Sequence, residues 1–140
     1  MAVQLKTLVS FNGADGEFPF GGLITDAKGD LFGTTSGGGA DGDGTAFEIA
    51  NTGTFCHPVY ASAPTTLVTF NGANGSSPES ALIADAKGDL FGTTVSGGAS
   101  DYGTAFEIAN TGSVSHRSMR AAPKLSSTST ARTAAPRLAA

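Results

Sequence analysis

The chain has 140 residues with 20 Gly, 6 Pro, one Cys and no Trp, enough for about one ordinary domain. One Cys excludes an intramolecular disulfide framework and a four-thiolate zinc site, and no apolar run approaches the ~18 residues of a membrane span. The net charge of −4 averages two unlike parts: residues 1–112 hold all 12 acids against Lys6, Lys28 and Lys87, whereas 113–140 hold Arg117, Arg120, Lys124, Arg132 and Arg137 and no acid, giving −9 and +5.

The first part is a tandem duplication. Shifted by 59 positions, residues 7–53 align with 66–112 without a gap, and 34 of the 47 pairs are identical, so the repeat must be settled before any motif is weighed. The organisation read from this is a tandem β-repeat region over 1–112 and a basic tail over 113–140. Within the region, repeat 1 covers about 7–53, a linker 54–65, and repeat 2 about 66–112.

Taken in chain order, one repeat reads as short strands separated by turns, with no sustained helical period. Thr7–Phe11 alternates and stops at Asn12-Gly13, a pair that tolerates positive φ. Leu23–Thr25 and Asp30–Thr35 flank Asp26-Ala27-Lys28-Gly29, a hairpin with Asp at the first turn position and Gly at the fourth. Thr45–Ala50 sends Thr45, Phe47 and Ile49 one way and Ala46, Glu48 and Ala50 the other, which predicts a sheet with unequal faces. The fourth strand of the unit comes from the next copy, Thr66–Phe70. The tail, rich in Ser, Thr, Ala and Pro and without aromatics, cannot offset its ordering entropy by burial and reads as disordered.

The fold class is therefore all-β: two four-stranded antiparallel, propeller-like blades forming an incomplete propeller, with a disordered C-terminal tail. By this count Thr7–Phe11 is an isolated leading strand and the second blade has three strands of its own, ending near Ile108. The leading strand is then available to complete the trailing blade. Propellers need about four to eight blades, and a repeat covers its apolar faces with its neighbours. The expectation is a homo-oligomer, or a fragment of a longer array packed on neighbouring repeats.

DAKGDLFGTTSGGGADGDGTAFEI and PTTLVTFNGANG resemble the GloVer (Gloeo-Verruco) tandem repeat of choice-of-anchor bacterial proteins. The resemblance covers most of residues 6–112 and none of the tail. It implies a propeller-like β-architecture in exported, surface-associated chains, hence an extracellular or cell-surface location, and no catalytic residues to carry over. This chain shows no signal peptide at its start.

Candidate chemistry is sparse. The loop Gly37-Gly-Gly-Ala-Asp41-Gly-Asp43-Gly44 combines flexible backbone with two carboxylates, so Asp41 and Asp43 are the residues that would take calcium. The second copy keeps one acid there, Asp101, and the bland reading is an inter-strand loop. Asp26, Asp30 and Glu48, with their copies Asp85, Asp89 and Glu107, offer paired acids for glycoside hydrolysis. Duplication favours scaffold roles instead: a turn for Asp26 and Asp85, a solvent-facing strand position for Glu48 and Glu107. Cys56-His57 is not a nucleophile pair, because neighbours in an extended segment point apart and no orienting acid accompanies them. Thr34-Thr35 and Thr93-Thr94 are candidates for a carbohydrate-lining surface.

The reading is a non-catalytic repeat module with a protein or glycan ligand, no catalytic residue and no bound cofactor unless calcium. The alternatives are part of a propeller enzyme acting on polysaccharide, or a calcium-dependent surface protein. The basic residues of the tail, spread out and without aromatics between them, do not make a nucleic-acid surface.

Overall fold

A computed structural model describes residues 2–111, together with the backbone of 122–124. All regular structure is β. The strands are β1 (Ile24–Thr25), β2 (Leu31–Thr35), β3 (Thr45–Ile49), β4 (Thr65–Thr69), β5 (Ile83–Ala84), β6 (Leu90–Thr94), β7 (Thr104–Ala109) and β8 (Ala122–Lys124). They form two antiparallel sheets in the orders β1-β2-β3-β4 and β5-β6-β7-β8. The 59-residue shift carries the pairing across. Leu31 opposes Ile49 as Leu90 opposes Ile108, and Glu48 opposes Thr65 as Glu107 opposes Lys124.

Two expectations are corrected here. Thr7–Phe11 is not a strand: neither sheet takes it as a partner among the described residues. The second sheet does not stop at three strands: Ala122–Lys124, within the segment read as disordered, pairs with Glu107–Ala109. Residues 112–121 and 125–140 lie outside the described residues.

The hairpins form where their turn chemistry dictates. In the first, Asp26 Oδ1 accepts from the backbone N–H of Lys28 and Asp30, each at 2.9 Å, and Gly29 N–H returns to Asp26 O at 3.0 Å. Asp85 repeats this with Lys87 at 2.9 Å and Asp89 at 3.0 Å. Between β2 and β3 the chain reverses through Gly44 (φ 101), and between β6 and β7 through Gly103 (φ 105). A Cβ there would stand 2.4 and 2.5 Å from the Thr35 and Thr94 carbonyl oxygens, so no other residue fits.

The two sheets share one core. Phe32, Ala46 and Val68 of the first meet Leu90, Phe106 and Ile108 of the second, with Phe70 and Leu82 between them. By strand alternation Phe32, Thr34, Ala46 and Glu48 occupy one face of the first sheet, while Leu90, Gly92, Phe106 and Ile108 occupy the opposite face of the second. The expectation of unequal faces therefore fails for β3. Thr45, Ala46, Phe47 and Ile49 are all buried, because Phe11 and Leu23 lie on one side of this sheet and the second sheet on the other. It holds for β7, where Phe106 and Ile108 are buried and Ala105 is exposed.

The chain that leaves one sheet pins the next. Phe70, directly after β4, sets its ring edge-on to Phe106 with centroids 5.0 Å apart, and Phe11 does the same to Phe47 at 4.9 Å. Each contact adds about 0.5–1.5 kcal/mol beyond the area it buries. Gly33 and Gly92 make room for these rings: a Cβ would lie 2.7 Å from Phe47 Cζ and 2.5 Å from Phe106 Cζ.

Candidate functional site

The residues singled out for chemistry fall in three places: the hairpin turns, the paired threonines and the glycine loops between β2 and β3 and between β6 and β7. At the turn, Asp30 is almost wholly buried, and its carboxylate accepts the Asn51 backbone N–H at 2.7 Å. Asn51 Nδ2 in turn donates to Lys28 O at 2.8 Å, and Lys28 Nζ stands 3.4 Å from Asp30. Asp89, Asn110, Lys87 and their contacts repeat the set at 2.7, 2.7 and 3.6 Å. An acid whose oxygens are engaged by the turn lysine and by the amide after β3 or β7 clasps the hairpin to the end of the strand. Asp26 and Asp85 occupy the turn positions expected of them.

Sequence reasoning missed Asn51 and Asn110. Asn51 is buried, and its Oδ1 also accepts from Gly53 and Val59 N–H, both at 3.0 Å, so it organises the linker. The available signal was its invariance between repeats immediately after the Phe-Glu-Ile-Ala strand. Cys56 and His57 sit at the exposed tip of that linker, in a turn closed by reciprocal Thr54 and His57 backbone bonds of 3.1 Å.

The threonine reading is corrected. Thr34, Thr35 and Thr94 are buried, and of the four only Thr93 is exposed. Thr35 and Thr45 hydroxyls pair at 2.8 Å, as do Thr94 and Thr104, while Thr34 Oγ1 donates across the joint between the sheets to Ser80 O at 3.2 Å. These hydroxyls bond the scaffold to itself instead of lining a surface.

Glu48 and Glu107 lie on the strand face opposite Phe47 and Phe106, as their alternation requires, but both are half-buried, not solvent-facing. The face of Glu48 is the one that receives the second sheet.

Asp41 is exposed at the loop tip. Asp43 belongs to the joint: its Oδ1 accepts from Ser76 Oγ at 2.7 Å and its backbone O accepts from Ser77 N–H at 2.9 Å. Beside it, Gly44 O accepts from Phe70 N–H at 2.9 Å. Among the described residues no three His, Cys, Asp or Glu side chains gather as a metal-binding group, and no helix is long and apolar enough to cross a membrane.

No curated protein and no solved structure was found to match the chain. A family model, the Gloeobacter/Verrucomicrobia repeat, matches residues 1–134, beyond the end of the second repeat and through β8. The duplicated clasp, the matched strand registers and this span agree: the chain belongs to the Gloeobacter/Verrucomicrobia repeat family.

Proposed function

We propose that this chain is a non-catalytic repeat module whose sheets are successive blades of a propeller-type array, serving a surface-associated bacterial protein as structure and as a platform for a protein or glycan partner. One observation carries this reading: the same carboxylates, Asp26 with Asp30 and Asp85 with Asp89, are committed to the same backbone amides in both repeats. A catalytic centre needs one asymmetric set of groups poised for substrate, whereas a scaffold group recurs in every unit. Among the parts that differ between repeats are the exposed loop tips, where Asp41 aligns with Ser100, and such tips are where a stacked array presents its ligand contacts.

The test is a glycan array read beside a panel of polysaccharide hydrolase and lyase substrates. Binding without turnover is expected. Turnover abolished by Asp30→Asn or Asp89→Asn would replace the module with an enzyme. Asp41 and Asp43 are tested by melting with and without millimolar Ca²⁺. The scaffold role given to Asp43 predicts no shift, and a rise in Tm lost in Asp41→Asn with Asp43→Asn would make the chain a calcium-dependent surface protein.

A further inference from the structure

The joint between the two sheets is the one place where a trailing face and a leading face of this fold are seen seated together. Phe32, Thr34, Ala46 and Asp43 form the trailing side, and Phe70, Ser76, Ser77 and Leu82 the leading side. Shifted by 59 residues, the same trailing side recurs at the end of the second sheet as Phe91, Thr93, Ala105 and Tyr102. There Thr93, Ala105 and Tyr102 are exposed, Tyr102 at 91%. Shifted the other way, the leading side recurs ahead of the first sheet as Phe11, Glu17, Phe18 and Leu23, of which Leu23 is 52% and Phe18 60% exposed. Among the described residues, therefore, two halves of a joint stand uncovered whose assembled form the chain also contains.

The halves match in chemistry as well as position. In the assembled joint an acceptor on the trailing side, Asp43, meets a hydroxyl donor on the leading side, Ser76. In the uncovered halves these polarities are exchanged together: the trailing position is Tyr102, a hydroxyl donor, and the leading position is Glu17, an acceptor. Phe18 in place of Ser77 adds an aromatic ring beside the position of Tyr102. The strand pairing is complementary too. On its edge away from β6, β7 is paired by β8 at Glu107–Ala109 alone, and among the described residues no strand lies along that edge of Thr104–Phe106. The corresponding stretch of β3, Thr45–Phe47, is paired by Thr66–Thr69. The segment equivalent to Thr66–Phe70 is Thr7–Phe11, which is in no strand.

We propose that copies of this chain stack head to tail, with Phe11, Glu17 and Leu23 of one copy seated on Phe91, Tyr102 and Ala105 of the next and Thr7–Ser10 added along Thr104–Phe106. The inference rests on the module reading above and names the module's partner as a second copy of itself. The added strand contributes main-chain hydrogen bonds, and Phe11 and Leu23 supply the apolar anchors that Phe70 and Leu82 supply within the chain.

The test uses the full chain with Cys56→Ser, which removes the exposed thiol. Glu17→Cys and Tyr102→Cys are made separately, mixed and oxidised. The expected product is the mixed disulfide dimer, in excess over either homodimer, and the double variant gives a ladder of multiples. As a control, Asp43→Cys with Ser76→Cys closes a disulfide within one chain at the assembled joint. Closure of the control without a mixed dimer overturns head-to-tail stacking and leaves the module reading standing. Failure of both overturns the joint itself and the module reading with it. In parallel, sedimentation of the unaltered chain gives a mass that rises with concentration, and Ala105→Arg, folded by circular dichroism, stays at the monomer mass; a rise that Ala105→Arg leaves intact counts against the proposed face.

Discussion

Repeat 1 and repeat 2 are nearly the same sequence in nearly the same strands, yet the same residue is buried in one and exposed in the other. Leu23 is 52% exposed and its copy Leu82 is fully enclosed; Ala46 is enclosed and its copy Ala105 is open. The difference has nothing to do with local propensity, because the local sequence is shared. It follows from position in the stack: the first sheet has a neighbour on its trailing side and the second on its leading side. Part of the burial of each repeat is thus supplied by the joint instead of by the repeat itself, as is expected of repeats that stabilise one another through neighbour interfaces.

The sharpest way to break this symmetry is a charge at the same alanine in each repeat. Ala46→Arg forces a guanidinium between the sheets opposite Val68 and is expected to cost more than about 4 kcal/mol, enough to abolish cooperative folding. Ala105→Arg, on the open face, changes monomer stability by no more than about 0.5 kcal/mol. Urea unfolding of the two variants side by side measures the gap, and equal losses would mean that the second sheet is covered as the first is.

Next in size is the leucine pair. Leu82→Ala removes an enclosed side chain from the shared core and is expected to cost about 2–5 kcal/mol, whereas Leu23→Ala at a half-exposed site costs about 1 kcal/mol or less. Stacking of copies would narrow this difference as protein concentration rises, so denaturation at two concentrations sharpens the comparison.

A smaller effect is expected at the glycines beneath the aromatic rings. A Cβ at Gly92 meets Leu82 at 2.8 Å, and one at Gly33 meets Leu23 at 2.9 Å, with a phenylalanine ring close in both cases. Leu23 has solvent into which it can move and Leu82 does not. Gly92→Ala should therefore cost about 1–3 kcal/mol and Gly33→Ala clearly less, read from thermal unfolding.

The smallest effect lies in the turn, where the repeats agree. Desolvation pushes the Asp85 carboxyl up, but the backbone N–H groups of Asp89, Lys87 and Gly88 and the Lys87 charge outweigh it and hold the group below its ordinary 3.8. A carboxyl lowered by folding stabilises the native state above its unfolded pKa. That contribution is lost as pH falls through the folded value. Stability followed from about pH 5 downward should decline less steeply in Asp85→Asn than in the unaltered chain.

Much of the fold was legible beforehand because it is written in short-range chemistry. Asp26-Ala27-Lys28-Gly29 closes a hairpin through bonds that span four residues, and the register of β2 on β3 follows from the turn at Gly44. The strand contributed by the following copy was legible for the same reason: it is the only apolar alternating segment that the repeat period leaves over. Asn51 was not legible as a hub, since its partners Lys28 and Val59 are brought to it only when the hairpin and linker fold over the strand. β8 reads as part of the tail: Ala-Pro-Lys has little strand propensity of its own, and only the 59-residue shift, which sets Ala122-Pro123 on Ala63-Pro64, marks its place on the edge of β7.

By itself, then, the sequence determined the all-β class, the two equivalent units, the hairpin turns and the turn positions of Asp26 and Asp85, because each depends on contacts within a few residues or on the period of 59. Only the tertiary structure decided which copy of each residue is core. Burial is a property of what lies on the far side of a sheet, and identical strands with different neighbours have different interiors.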